Sequence, residues 1–131
     1  MKYALIGCGR IATNHVKAVV NNGLEFVAVC DLLPEAMETL LAKHGLEKDE
    51  SIARYTDYKM MLTEHPEIEL VAIATDSGMH AEITLHCIDQ GVNVIVEKPM
   101  TMSIVDADEV IRRSREKGVK VSVCHQNRFN V

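Results

Sequence analysis

The sequence predicts an α/β domain: a doubly wound parallel sheet with helices on both faces. Three observations predict it. Apolar runs alternate with helical patterns along the 131 residues, the order that builds parallel strands with right-handed crossovers. Most of the runs lack a polar face, as strands do when helices cover both sides of a sheet. The first run stops at a Gly-Cys-Gly and a helical pattern begins at once.

Each element follows from local chemistry. Tyr3–Ile6 reads as a strand, and Arg10–Asn22 as a helix with Ile11, His15, Ala18 and Val19 near one face. Asn22-Gly23 closes it, as expected of a helix C-terminus. Phe26–Cys30 is a valine-rich strand. Pro34–His44 is a helix with proline in its first turn and Gly45 past its end. Ile52–Tyr55 reads as a short strand and Tyr58–Glu64 as a short helix that stops before Pro66. Leu70–Thr75 is a strand, Met79–Gln90 a helix closed by Gly91, and Val92–Val96 a strand. Ser103–Lys117 is a helix with Ser103 as cap and Gly118 as stop, and Val119–Cys124 is the last strand. The expected strand order is 3-2-1-4-5-6, with the ligand crevice where that order reverses.

Composition narrows the class. Hydrophobic residues make up 47% and charged residues 25%, the balance of a globular chain. A net charge of −5 argues against nucleic acid or an anionic membrane as partner. No apolar run approaches the roughly 20 residues of a membrane-spanning helix. Lys2 is a lone charge before a short run, unlike a signal peptide. Cys8, Cys30, Cys87 and Cys124 form no Cys-x-x-Cys pair and keep no zinc spacing with a histidine, so neither a metal site nor a disulfide is expected. A reducing cytoplasm is the expected location.

The glycine junction carries the first chemical reading. Gly7, Gly9 and Ala12 form G-x-G-x-x-A directly after a strand and at the opening of a helix, the context a dinucleotide motif requires. Gly7 takes the tight turn, Gly9 lets a pyrophosphate approach the backbone, and Ala12 lets the helix pack close. An ordinary glycine turn would need nothing further, but a second element is present. Asp31 ends the strand VAVCD roughly twenty residues past the glycines, where a carboxylate accepts hydrogen bonds from the ribose hydroxyls. Leu32 and Leu33 follow it with no arginine nearby to hold a 2′-phosphate, so NAD is expected over NADP.

Three later junctions fall at strand carboxyl ends, where open sheets place ligands. In ATDSGMH, Thr75 and Ser77 offer hydroxyls, and His80 starts a helix; alone, His80 would read as a surface histidine. In VEKPM, the Glu97-Lys98 pair follows an apolar run, and Pro99 stiffens the backbone after it. Lys98 there would hydrogen-bond a substrate hydroxyl and help remove its proton during hydride transfer. A solvated lysine is the plain alternative. In CHQNRFN, five hydrogen-bonding side chains in seven positions read as a cleft wall or the entry to another domain.

Together GCGRIATNH, the Asp31 strand end, ATDSGMH, VEKPM and CHQNRFN resemble the Gfo/Idh/MocA oxidoreductases. These are NAD(P)-dependent enzymes acting mainly on sugars, inositols and sugar nucleotides. The resemblance implies a Rossmann domain over residues 1–124, with residues 125–131 opening the connection to a separate substrate domain outside this chain. It implies Lys98 as the catalytic residue, and Gly7, Gly9, Arg10, Ile11, Asp31, Thr75, Ser77 and His80 along the cofactor. Glu97 and Gln126 are assigned to the cofactor as well, and Lys98, Asn127 and Arg128 to the substrate. VEKPM followed by CHQNRFN resembles the branch that oxidises UDP-N-acetylglucosaminuronic acid at C3 for surface-polysaccharide synthesis. A homo-oligomer is expected of the full-length form. The alternative is a stand-alone NAD-binding module without catalysis.

Overall fold

A computed structural model describes residues 1–97 and 103–124, with the side chains of Ser77 and Cys124 left aside. Strands and helices alternate as β1 (Lys2–Ile6), α1 (Ala12–Asn21), β2 (Glu25–Cys30), α2 (Pro34–Lys43), β3 (Ala53–Tyr55), α3 (Tyr58–Glu64), β4 (Leu70–Ile73), α4 (His80–Asp89), β5 (Asn93–Glu97), α5 (Ile104–Lys117) and β6 (Val121–Cys124). A single 3₁₀ turn, Ser77–Met79, leads into α4. The sheet runs β3-β2-β1-β4-β5-β6 with every described pair parallel. That is the order expected from the sequence.

Strand alternation splits the core into two layers. Tyr3, Leu5, Val29 and Ala72 face one side, where Val16 and Val19 of α1 and Leu40 and Leu41 of α2 cover them. Ala4, Ile6, Val71, Ile73, Val94 and Val96 face the other, under Met61 and Leu62 of α3 and Ile83 and Cys87 of α4. Successive residues of β1 and β4 thus go to opposite layers, which is why those runs read as continuously apolar.

Some boundaries differ from the sequence reading. The first helix begins at Ala12, because Gly9 to Ile11 form the turn that enters it. Its buried face is Ala12, His15, Val16 and Val19, and Ala18 is exposed. The spacing 12, 15, 16, 19 follows the helix period, and Ala18 falls outside that stripe. The fourth strand ends at Ile73 and releases Ala74 and Thr75 to the loop, while the fifth runs on to include Glu97. Asp57 caps α3 by accepting the Lys59 N–H at 2.9 Å.

Candidate functional site

The chain winds from β1 outward through β2 to β3, then returns to place β4 on the other side of β1. Between the carboxyl ends of β1 and β4 the two adjoining loops leave in opposite directions, which opens a crevice. A cleft of about 450 Å³ lies there, lined by Gly7, Gly9, Asp31, Leu33, Tyr58 and Thr75 among others.

Gly7 explains the tight turn. Its φ is +99°, a region side chains rarely adopt. A Cβ on it would stand 2.5 Å from the Ala74 carbonyl carbon and 2.6 Å from the Thr75 nitrogen. Its N–H donates to the Cys30 carbonyl at 2.8 Å, so the turn is pinned to β2 on one side and pressed against the β4 exit on the other. Gly9 is the opposite case: a Cβ there would meet nothing within 4 Å. The space over Gly9 is open, as the approach of a pyrophosphate requires.

Asp31 leaves the end of β2 and turns back on the glycine loop. Its Oδ2 accepts the Cys8 N–H at 2.8 Å, and its Oδ1 accepts the Leu33 N–H at 2.9 Å. Each oxygen has a further lone pair. The two backbone donors therefore orient the carboxylate and leave it capacity for two ribose hydroxyls. Leu32, 82% exposed, and Leu33, 62% exposed, stand beside it on the cleft wall. Two large exposed leucines at a cleft suit the flat apolar face of a base.

Burial, with the Asp31 charge second, sets the local thiols. Burial, and then the Asp31 charge, push the Cys30 thiol up to about 12, and the same two causes push Cys8 higher still. Both are neutral at physiological pH and behave as small apolar groups. Cys8, Cys30 and Cys87 are free.

Past β4, the Thr75 hydroxyl donates to the Asp76 carbonyl at 3.2 Å, and the Asp76 carboxylate accepts the Gly78 N–H at 3.2 Å. His80 is 1% exposed, not the surface histidine its position suggested. Its Nε2 donates to the Thr75 carbonyl at 2.8 Å, so it braces the loop from beneath. Glu97 is likewise buried, and its Oε1 lies 2.6 Å from Nε2 of His15 on α1. Arg10 is exposed and Ile11 half-buried at the helix entrance.

The structure thus gathers Gly7, Gly9, Asp31 and Thr75 around one cleft, sets His80 beneath the Thr75 loop, and buries Glu97 against His15 of α1. Lys98, Gln126, Asn127 and Arg128 lie outside the described residues, as do Pro99 and the rest of 98–102 and 125–131. Sequence reasoning passed over Thr56, Tyr58 and Met79 on the cleft wall. The signal for the first two was their place just past β3, another carboxyl end on the same edge. Among the described residues no group of three or more His, Cys, Asp or Glu is placed to hold a metal, and no helix is long and apolar enough to cross a membrane.

A six-stranded doubly wound sheet with a glycine turn and an acidic strand end at its switch point defines a dinucleotide-binding domain. The profile of the Gfo/Idh/MocA oxidoreductase family, described as an NAD-binding Rossmann fold, matches residues 1–125, and the chain belongs to this family. It is 31% identical over 131 residues to 4-carboxy-2-hydroxymuconate-6-semialdehyde dehydrogenase of Sphingobium sp., covering 99% of this chain and 40% of that protein. It is 26% identical to inositol 2-dehydrogenase of Salmonella typhimurium, covering 92% of this chain and 35% of the relative. Among solved structures, the WlbA dehydrogenase of Bordetella pertussis, in complex with NADH and UDP-GlcNAcA, superimposes with a TM-score of 0.86 at 31% identity. That match covers 99% of this chain and 38% of the other. The chain therefore spans two fifths or less of the length of these relatives.

Proposed function

We propose that this chain is the cofactor-binding part of an NAD-dependent oxidoreductase that moves a hydride between a sugar or sugar-nucleotide hydroxyl and NAD. The observation that carries this is the switch-point cleft, with open space over Gly9 at its floor and a doubly oriented Asp31 on its wall. Bound NAD would supply the hydride acceptor. Gly7, Gly9, Arg10 and Ile11 would hold its pyrophosphate, Asp31 its adenosine ribose, and the Thr75–Ser77 loop braced by His80 its further half. Glu97 and Gln126 would complete the cofactor wall.

Lys98 would act on the substrate hydroxyl, with Asn127 and Arg128 contacting the rest of the substrate. The WlbA relative bound to UDP-GlcNAcA supports a sugar nucleotide as substrate. Such a substrate would place the enzyme in polysaccharide precursor synthesis, in the reducing cytoplasm that the free thiols suit. Residues 125–131 would lead into a substrate domain, and the complete enzyme would be a homo-oligomer. The second reading is a stand-alone NAD-binding module without catalysis.

Two measurements test the proposal. Calorimetric titration of the chain should show NAD binding tighter than NADP, because the Asp31 charge repels a 2′-phosphate. Asp31→Ala should weaken NAD by about 1–3 kcal/mol, the cost of losing a charged hydrogen-bond acceptor. Equal or tighter NADP binding defeats the cofactor assignment. In the complete enzyme, Lys98→Met should lower turnover by about 10²–10⁴-fold, the usual contribution of a positioned proton-transfer group, with NAD affinity kept. Unchanged turnover removes Lys98 from the chemistry, whereas NAD binding without any turnover in the complete protein leaves the module reading.

A further inference from the structure

His15 interrupts an apolar stripe. The buried face of α1 is Ala12, His15, Val16 and Val19, and three of these four pack as a helix face on a sheet should. The fourth brings an imidazole to the sheet face whose apolar layer includes Leu5, Val29, Leu40 and Leu41. Its partner arrives from 82 residues further along the chain. Glu97 is the last residue of β5. Val94 and Val96 of that strand face the α3–α4 layer, so alternation turns Glu97 to the α1 side. The pair meets at 2.6 Å with His15 7% and Glu97 6% exposed.

A carboxylate buried to this extent is costly unless paired. Two apolar residues of similar volume would hold the helix on the sheet as well or better. What an apolar pair lacks is direction. A short bond between an Nε2–H and one carboxylate oxygen fixes the two backbones at one separation and orientation. Here the two backbones are α1, which opens from the glycine turn, and the end of β5, whose last residue is joined by its peptide to Lys98. β4 lies between β1 and β5 in the sheet, so the bond reaches across an intervening strand.

We infer that His15 is a positioning residue, which through Glu97 sets the end of β5 against the helix that carries the cofactor loop. The consequence rests on the NAD-binding reading above: cofactor seated on the glycine turn orders the end of β5 through this bond. The structural part stands without NAD.

The test is amide hydrogen exchange by NMR on the full chain, free and saturated with NAD. In the free protein, His15→Leu should speed exchange at Ile95–Glu97 by about tenfold relative to wild type, as loss of one buried charge-assisted bond predicts. His15→Gln, which keeps a donor of similar reach, should restore most of that protection. NAD should slow exchange at Ile95–Glu97 in wild type and His15→Gln, and leave those amides unaffected in His15→Leu even where Cys8–Ala12 are protected. Equal exchange in His15→Leu and wild type, or equal loss in the Leu and Gln variants, overturns the inference. Should His15→Leu fail to fold, the wild-type imidazole decides: a slowly exchanging Nε2–H resonance that moves on adding NAD supports the joint, and its absence overturns it. If NAD does not bind the wild-type chain, the cofactor reading falls, while the exchange rates of the free proteins still decide the joint.

Discussion

Helices α1 and α5 open in opposite ways. Helix α5 is finished at its N-terminus: the Ser103 hydroxyl accepts the Asp106 N–H at 3.0 Å, and Asp106 places a negative charge in the first turn. The hydroxyl satisfies a free N–H group, and the charge opposes the helix dipole. Helix α1 has neither. Its N-cap is Ile11, with no side-chain hydrogen bond and no acid in the first turn. Of these two helices, the one that opens from the glycine turn at the cleft is left without a side-chain cap.

The two are also held differently. The ten residues of α1 bury four against the sheet. The fourteen of α5 bury Val110 alone, and leave Ile104 81% and Val105 76% exposed. Ion pairs along its surface link Glu109 to Arg112 and Arg113, Glu116 to Arg112, and Arg113 to Asp89. Such exposed pairs add little each. So α5 is a helix by its own local chemistry, while α1 is a helix by its fit to the sheet. An uncapped N-terminus is tolerable where packing supplies the stability, and a phosphate binds best to such an end.

The sharpest way to break this comparison is at the turn that feeds α1. Gly7→Ala forces a Cβ to 2.5 Å from the Ala74 carbonyl carbon at a φ of +99°. The three nearest atoms, in Ala74 and Thr75, are all backbone, which cannot step aside cheaply. The variant should lose about 4 kcal/mol or more in urea unfolding, within the exceptional class of single substitutions, and should lose NAD binding with it. A folded, NAD-competent Gly7→Ala would show that the turn is not what shapes the cleft.

A smaller effect belongs to α5. Ser103→Ala should cost about 1 kcal/mol in the same unfolding experiment, the usual value of an N-cap, with NAD affinity unchanged in calorimetry. A fall in NAD affinity would mean that α5 shares in the site and that the contrast with α1 is overdrawn.

The smallest concerns α4, on which α5 rests. Burial, and then Lys59, hold the His86 imidazole below its ordinary value of 6.5. Its ring lies edge-on to Tyr58 at 5.4 Å. The folded form therefore binds fewer protons than the unfolded chain just below pH 6.5. The stability this group contributes is complete above that value and is lost as pH falls through the lowered folded one. Melting temperature should decline as pH drops below 6.5, and His86→Phe should make that decline shallower. An identical slope in the variant would show that other groups account for it.

What the sequence determined by itself was the sheet order and the glycine turn at its switch point. Both rest on local signals. Alternation of apolar runs with helical patterns dictates parallel pairing and right-handed crossovers, and the glycine pair after the first strand marks a tight turn that Gly7 takes at a positive φ. Only the tertiary structure decided which polar groups support them. Nothing near His15 in the chain marks it as the partner of Glu97, because the contact spans 82 residues and exists only once β5 lies beside β4. His80 carries no local sign of burial, since a histidine at a helix start has the same sequence whether it meets water or the Thr75 carbonyl. Ala18 looked like a core residue and is exposed, because the stripe that meets the sheet is set by how α1 docks and not by apolarity alone. Local chemistry specifies turns and periods; the surroundings of a polar side chain are assembled from distant parts of the chain, and become definite only when those parts pack.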